Sequence, residues 1–385
     1  MFKFLKLTFI LIINILLIET GLQLTYFLLA RGSWLPNRAT GQPFYMHNYE
    51  LGTYGLIPNF SGVLNTNEFK SNIFINERGM RVKDFSNSFI NKSDNKELSP
   101  ITGLAIGPSY GFGWGVNYED SYNYKIAEYI SKKTNAPINL LNTSVPAQPI
   151  GQQMCRLIKE ISKDEVTPKF VVVTVFPGLE YLQDECIESN PNEVWQSYLI
   201  GNTNTKYLKF KKVVKNSAIV YFSFLLANKI MPSPDSEKLG YMKKYIKIEN
   251  LKSTEKIIKN AKKIRDNLGE IPIIYIRMPH PFQYHPTHIN RWRTIKTIND
   301  LLKLSKSEEE NWNYALRIKD QFKEKNIYLI DTLPLLKNGV KRGEDMAYYL
   351  DTHLTLKGNI AILNSFINQI DSSFFGIIEK DEIRN

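Results

Sequence analysis

Three side chains in this sequence could together activate an oxygen nucleophile. Ser109 stands in "GPSYGFGWGV" (107–116), just after a small apolar run, and Asp351 and His353 stand two positions apart in "YYLDTHLTLKG" (348–358). A serine hydroxyl attacks an ester poorly until an imidazole removes its proton, and a carboxylate must hold that imidazole in the right tautomer. The chemistry implied is acyl transfer through Ser109, with His353 as general base and Asp351 as its orienting partner. Each piece also has a purely structural reading: Ser109 as a polar residue in a flexible turn, Asp351 as a helix cap, His353 as an exposed histidine. The glycines at 107, 111, 113 and 115 allow a tight turn and close approach of a ligand to the backbone.

Other chemistry-bearing clusters are weaker. His280, His285 and His288 fall close together in "MPHPFQYHPTH" (278–288), but no carboxylate or cysteine of metal-ligand spacing accompanies them. No metal or cofactor is expected, and His280 is read as lining a substrate site because it follows a strand. Glu180 and Asp184 could form the acid/base pair of a glycosidase, without a second carboxylate of evident role. "GPSYGFGWG" lacks the spacing and the lysine of a phosphate loop. Tyr110, Phe112 and Trp114 read as packing residues, with a glycan contact as the alternative, and Tyr110 is kept as a substrate-binding candidate. Cys155 and Cys186 are the two cysteines, free to form one bridge or to stay buried thiols.

The elements that must position these residues follow a regular alternation. "ITGLAIG" (101–107) is a buried-strand candidate, followed by the glycine-rich turn and the helical "EDSYNYKIAEYISKKT" (119–134). "PINLLNTSV" (137–145) is a second strand and "IGQQMCRLIKEISKD" (150–164) a second helix. "KFVVVTVF" (169–176) is a continuous β-branched run, as expected of a central parallel strand buried on both faces. "IPIIYIRM" (271–278) and "NIYLIDTL" (326–333) repeat the pattern, with helical "SKSEEENWNYALRIKDQFKEK" (305–325) before the second and "LKGNIAILNSFINQI" (356–370) after it. The expected fold is a three-layer α/β sandwich with a mostly parallel central sheet. In such a sheet, chemistry gathers at the carboxyl ends of the strands, which is where Ser109 falls.

The N-terminus bears on location. After Lys3 and Lys6, the apolar run at 7–30 is long enough to cross a hydrocarbon core of about 30 Å. Glu19 and Gln23 lie within it and are costly there. The run is long and no clear cleavage site follows, so a retained anchor is expected rather than a cleaved signal peptide. The two lysines favour an N-terminus in the cytoplasm and a main domain in the periplasm or outside. A net charge of +11 points to anionic surfaces, and no nucleic-acid-binding signature is present. The resulting organisation is an anchor at 1–30, a strand-and-loop extension at 31–100, the α/β domain at 101–372 and a polar tail at 373–385. A basic helical insertion interrupts the domain at about 195–265. Its lysines at 206, 209, 211, 212 and 215 could rest on lipid headgroups or form a solvated face.

Taken together, "GPSYGFGWGV" and "YYLDTHLTLKG" resemble the blocks of the SGNH (GDSL-like) hydrolase family, over most of residues 50–370. Ile75, Asn76, Gly79 and Arg81 are similar to an "IN..G.R" element of its membrane-anchored bacterial branch, and "IYLIDTLPLL" is similar to the strand before the last block. The chain departs from the family pattern in three places. Pro108 replaces the aspartate of the serine turn, and Ala147 replaces the glycine whose N–H joins the oxyanion hole. Leu179 and Glu180 stand where the family has Asn-Asp, and losing such an oxyanion donor costs about 100- to 1000-fold in rate. The resemblance implies a serine esterase with Ser109, His353 and Asp351 as catalytic residues and the Ser109 and Ala147 amides as oxyanion hole. Tyr110, Leu179, Glu180 and His280 would line the substrate. The implied partner is an acylated glycan, with O-acetyl esters of envelope or exported glycans as substrate class. The alternatives are a catalytically silent domain that binds a glycan or a partner, and a lipid esterase at the membrane surface.

Overall fold

The computed structural model describes residues 2–29, 45–48, 53–66, 68–85, 100–146, 153, 168–175, 217–220, 222, 223, 226, 253–285, 310, 312, 313, 315–349 and 351–380. A long helix, α1 (Phe2–Leu29), comes first, and its segment Lys6–Leu28 is long and apolar enough to cross a membrane. Two short strands, β1 (Tyr45–Asn48) and β2 (Thr53–Leu56), form an antiparallel pair of their own.

Among the described residues the main sheet has eight strands. Five are parallel and adjacent: β10 (Ile327–Asp331), β9 (Ile273–Arg277), β8 (Phe170–Val175), β6 (Ile101–Ile106) and β7 (Ile138–Asn142). Every residue of β8 and β9 is buried, which is why both read as unbroken apolar runs. Beyond β7 the sheet continues antiparallel through β5 (Arg81–Val82), β4 (Lys70–Ile75) and β3 (Ser61–Asn65). These last strands come from the segment read as an extension at 31–100, so that segment supplies an edge of the main sheet itself.

Helices cover both faces, giving the three layers expected from the sequence. On one side α3 (Tyr122–Thr134), α7 (Leu333–Lys341) and α8 (Leu356–Gln369) pack on Ala105, Val172, Ile274, Ile276 and Ile330. On the other, α4 (Ser253–Leu268) and α6 (Lys319–Lys323) cover Leu104, Ile106, Val171, Val173, Ile273 and Tyr275. The strict alternation along β6 and β9 assigns neighbouring residues to opposite cores. Two shorter helices, α2 (Ser109–Phe112) and α5 (Pro281–Tyr284), follow the carboxyl ends of β6 and β9.

One boundary differs from the sequence reading. Residues 373–380, read as part of a polar tail, belong to α9 (Ser372–Lys380), which buries Phe374 and Ile378 completely or nearly so. Phe374 packs edge-on against Phe170 and Tyr328, so its apolar contacts outweigh the polar flanks that made the stretch look like a tail. Ala147, Leu179, Glu180, Asp184, His288, Cys155 and Cys186 lie outside the described residues. So do Lys206, Lys209, Lys211, Lys212 and Lys215 and all of the 150–164 helix candidate except Gln153.

Candidate active site

Strand β6 delivers Ser109 to the carboxyl edge of the sheet. The chain leaves the strand through Gly107 and Pro108 and begins α2 at Ser109, with the Pro108 carbonyl accepting the Phe112 N–H at 3.0 Å. Pro108 has no N–H to leave orphaned, and its φ of −74° suits a helix start. The helix ends after one turn because Gly113 adopts φ +81°, a left-handed conformation that glycine accepts without a Cβ penalty. Gly111 is needed for closeness: a Cβ there would lie 2.7 Å from Ser144 Oγ. Its carbonyl accepts from Asn123 Nδ2 at 2.8 Å and Asn142 Nδ2 at 3.1 Å.

The turn is held from outside by Arg81, which is fully buried. Its guanidinium donates to the carbonyls of Phe112 and Gly113, each at 2.6 Å, to Val116 at 2.7 Å and to Asn72 at 3.3 Å. The guanidinium carbon also lies 4.5 Å from the centre of the Phe112 ring. Burial lowers the pKa of Arg81 to about 9, so it stays charged near neutral pH. Asn76 and Gly79 set up this arginine: Asn76 Oδ1 accepts the N–H groups of Arg78 and Met80 across a turn in which Gly79 has φ +70°.

His353 and Asp351 come from the loop between α7 and α8. Tyr348 and His353 close this loop, the Tyr348 N–H donating to the His353 carbonyl at 2.8 Å, and Thr352 donates back to the Tyr348 carbonyl at 3.0 Å. Asp351 Oδ1 accepts the His353 backbone N–H at 3.4 Å and meets His353 Nδ1 at 2.5 Å. A spacing of two lets one carboxylate oxygen reach both, because Thr352 between them adopts φ +72°. For a β-branched residue that conformation is strained, and it folds the aspartate back over the histidine. Thr355 then caps α8, its hydroxyl accepting the Gly358 N–H at 3.2 Å.

The two loops meet. His353 Nε2 lies 2.7 Å from Ser109 Oγ, so Ser109, His353 and Asp351 form one continuous hydrogen-bonded chain. The histidine ring has two aromatic neighbours, Tyr110 at 4.9 Å and Trp114 at 5.5 Å between ring centres. Trp114 Nε1 donates to Asp351 Oδ2 at 3.3 Å, and the Asp351 N–H donates to Glu68 Oε2 at 2.8 Å. Burial alone would raise the Asp351 carboxyl. The charge and hydrogen bonds of His353, with the Trp114 donor, outweigh it and hold the group below its ordinary value. Such a carboxylate is ionised at neutral pH and can stabilise an imidazolium beside it.

Of the remaining candidates, Tyr110 borders the histidine and His280 lies at the start of another helix. Tyr110 is buried and its hydroxyl donates to the Thr352 carbonyl at 3.3 Å, so it packs against the histidine loop. His280 is also buried, at the start of α5. His285 is structural: its Nε2 accepts the Met346 N–H at 3.1 Å. Among the described residues there is no cluster of three or more potential metal ligands. Three participants were not read from the sequence: Glu68, the indole N–H of Trp114 and the clamp formed by Arg81. Only Arg81 had a signal, through the "IN..G.R" element.

No protein-family model matches the chain, and no curated protein matches it. Among solved structures it is similar to TesA, at 12% identity and a TM-score of 0.36, over 70% of this chain and 97% of that one. It is similar to a lipolytic protein of the G-D-S-L family from Veillonella parvula DSM 2008, at 11% identity and a TM-score of 0.35, over 70% and 97% of the two chains. A third is a variant of Axe2, an acetyl xylan esterase from Geobacillus stearothermophilus, at 13% identity and a TM-score of 0.33, over 70% and 94%.

Proposed function

We propose that this protein is a serine ester hydrolase of the SGNH type. The observation that carries the reading is the uninterrupted relay of Ser109 Oγ, His353 and Asp351, with contacts of 2.7 and 2.5 Å. In the reaction, His353 Nε2 takes the Ser109 proton as Oγ attacks the ester carbonyl. Asp351 holds the Nδ1 proton and stabilises the imidazolium that forms. The same imidazolium then protonates the leaving alkoxide. Water, deprotonated by His353, attacks the acyl-serine and releases the acid, or a glycan hydroxyl takes the acyl group in its place.

The developing oxyanion needs donors already in position. Ser109 is the first residue of α2, so its N–H has no acceptor within the helix and is one donor in this scheme. The Ala147 N–H is the second. Leu179 stands where the resemblance places a side-chain donor, and the scheme runs with backbone donors alone.

The substrate class is an O-acetyl ester of an envelope or exported glycan. The apolar α1 supports an anchored enzyme, with its N-terminus in the cytoplasm and the α/β domain facing the periplasm or exterior. The departures at Pro108 and Leu179 favour a second reading, a silent domain of the same fold that binds a glycan or partner without turnover.

The two readings separate in one assay. Full-length protein is offered nitrophenyl esters of acetate, butyrate and octanoate, together with O-acetylated glycans. Turnover of acetyl esters, falling with chain length and abolished in Ser109→Ala, is the expected result. Preference for octanoate would move the substrate to lipid, and glycan binding without turnover would establish the silent domain.

A further inference from the structure

The proposed reaction makes no use of an acid in the apolar N-terminal helix. Glu19 lies in α1, and its carboxylate takes four donors. It accepts from Ser217 Oγ at 2.9 Å, from the N–H groups of Ala218 at 2.6 Å and Ile219 at 3.0 Å, and from Gln23 Nε2 at 3.0 Å. Residues 218–220, 222, 223 and 226 are helical. Glu19 therefore supplies, from the far end of the sequence, acceptors that the first turn of that helix lacks.

Exposure along α1 changes at this residue. Positions 7–18 are exposed on every side, with Leu7 at 67%, Leu17 at 65% and Ile18 at 55%. From Glu19 onward, Leu22, Gln23 and Phe27 are half-buried and Tyr26 is fully buried, at the spacing of one helix face. The second helix is divided in the same way. Ala218 is buried and Ile219 and Phe222 are half-buried, whereas Val220 at 40% and Leu226 at 58% are exposed.

Helix geometry gives the depth of the joint. At about 1.5 Å per residue, Glu19 lies about 20 Å beyond Lys6, leaving about 10 Å of a roughly 30 Å hydrocarbon core. Helices that lie in a membrane interface bury to about 5–10 Å. At that depth unmet backbone N–H groups are costly, and an acid in an apolar helix is costly as well. Each meets the other's need here.

We propose that the helical residues from Ala218 onward are a second membrane-contacting element, joined through Glu19 to a retained α1. It lies in the leaflet nearest the α/β domain and turns Val220 and Leu226 toward the acyl chains. Removal of α1 as a signal sequence would take Glu19 away and leave the 218 and 219 amides without acceptors. The partner of this surface is the lipid bilayer, and the inference is independent of whether Ser109 turns over an ester.

The test uses full-length protein carrying Cys155→Ser and Cys186→Ser, with one nitroxide label at Val220→Cys, Leu226→Cys or, for reference, the exposed Lys341→Cys. In phosphatidylcholine–phosphatidylglycerol vesicles, the labels at 220 and 226 should relax with oxygen rather than with a water-soluble nickel chelate, and the label at 341 the reverse. Glu19→Ala should raise nickel access at 220 and 226 several-fold, and Glu19→Gln, which keeps an acceptor oxygen, should raise it less. Nickel access at 220 and 226 equal to that at 341 would overturn the proposal. So would labels unmoved by Glu19→Ala, or an intact mass from membranes that lacks α1.

Discussion

Arg81→Met removes the clamp on the serine turn while keeping a side chain of similar length. The loss leaves the Phe112, Gly113 and Val116 carbonyls, each now served at 2.6–2.7 Å by a buried guanidinium, without that donor. A hydrogen bond to a charged group contributes about 1.5–3 kcal/mol, and such bonds to one group are not additive, so the change should cost about 4–5 kcal/mol. In a domain of this size each kcal/mol moves Tm by about 2–4 °C, which predicts a fall of about 10–15 °C. The damage should also reach the chemistry. Trp114 lies between the clamped carbonyls and donates to Asp351, and a misplacement of about 1 Å in such a site costs on the order of 100-fold in rate. Arg81→Lys should recover little, because one ammonium cannot reproduce a planar fork serving several carbonyls. The assay is thermal unfolding of detergent-solubilised full-length protein by circular dichroism, beside ester turnover at saturating substrate. An Arg81→Met protein that melts within about 2 °C of the parent would refute the clamp.

Trp114→Phe keeps the ring beside His353 and deletes only the N–H to Asp351. At 3.3 Å that bond is long, so about 1 kcal/mol and a roughly fivefold fall in kcat are expected, with KM little changed. Thr352→Asn should raise Tm by about 2–4 °C, since asparagine tolerates φ +72° better than a β-branched residue by about 1 kcal/mol. A lower Tm would show that the turn is not strained at this position. Asp351 is held below its ordinary value of 3.8, so its contribution to stability is complete above that pH and fades as pH falls through the lower folded value. Melting curves of the parent and Asp351→Asn should therefore converge only below about pH 4, and convergence already at pH 6 would contradict the assignment.

The central architecture was legible because it rests on local runs. "KFVVVTVF" and "IPIIYIRM" read as strands buried on both faces, and β8 and β9 are buried at every position. The edge of the sheet was not legible. β5 has two residues and joins β7 through the single pair Arg81 and Asn142, too short a pattern for a period-two signal. The helix after residue 371 was missed for a related reason: two phenylalanines and two isoleucines among polar residues do not announce that Phe374 closes a core. At the site, residue type and two-residue spacing drew attention to Asp351 and His353, and strand-end position to Ser109. Glu68 gave no such cue. Its contact to the Asp351 N–H spans 283 positions and depends on how an antiparallel edge abuts a loop near the other end of the chain. The role of Arg81 depends likewise on carbonyls 31 to 35 positions away.

The central claim is that Ser109 is a nucleophile activated by His353, and the most direct measurement is intact mass after exposure to a fluorophosphonate. Full-length protein should gain one phosphonyl adduct, mapping to Ser109 and absent from Ser109→Ala and His353→Ala. A folded parent protein that gains no adduct, or an adduct that persists in Ser109→Ala, would contradict it.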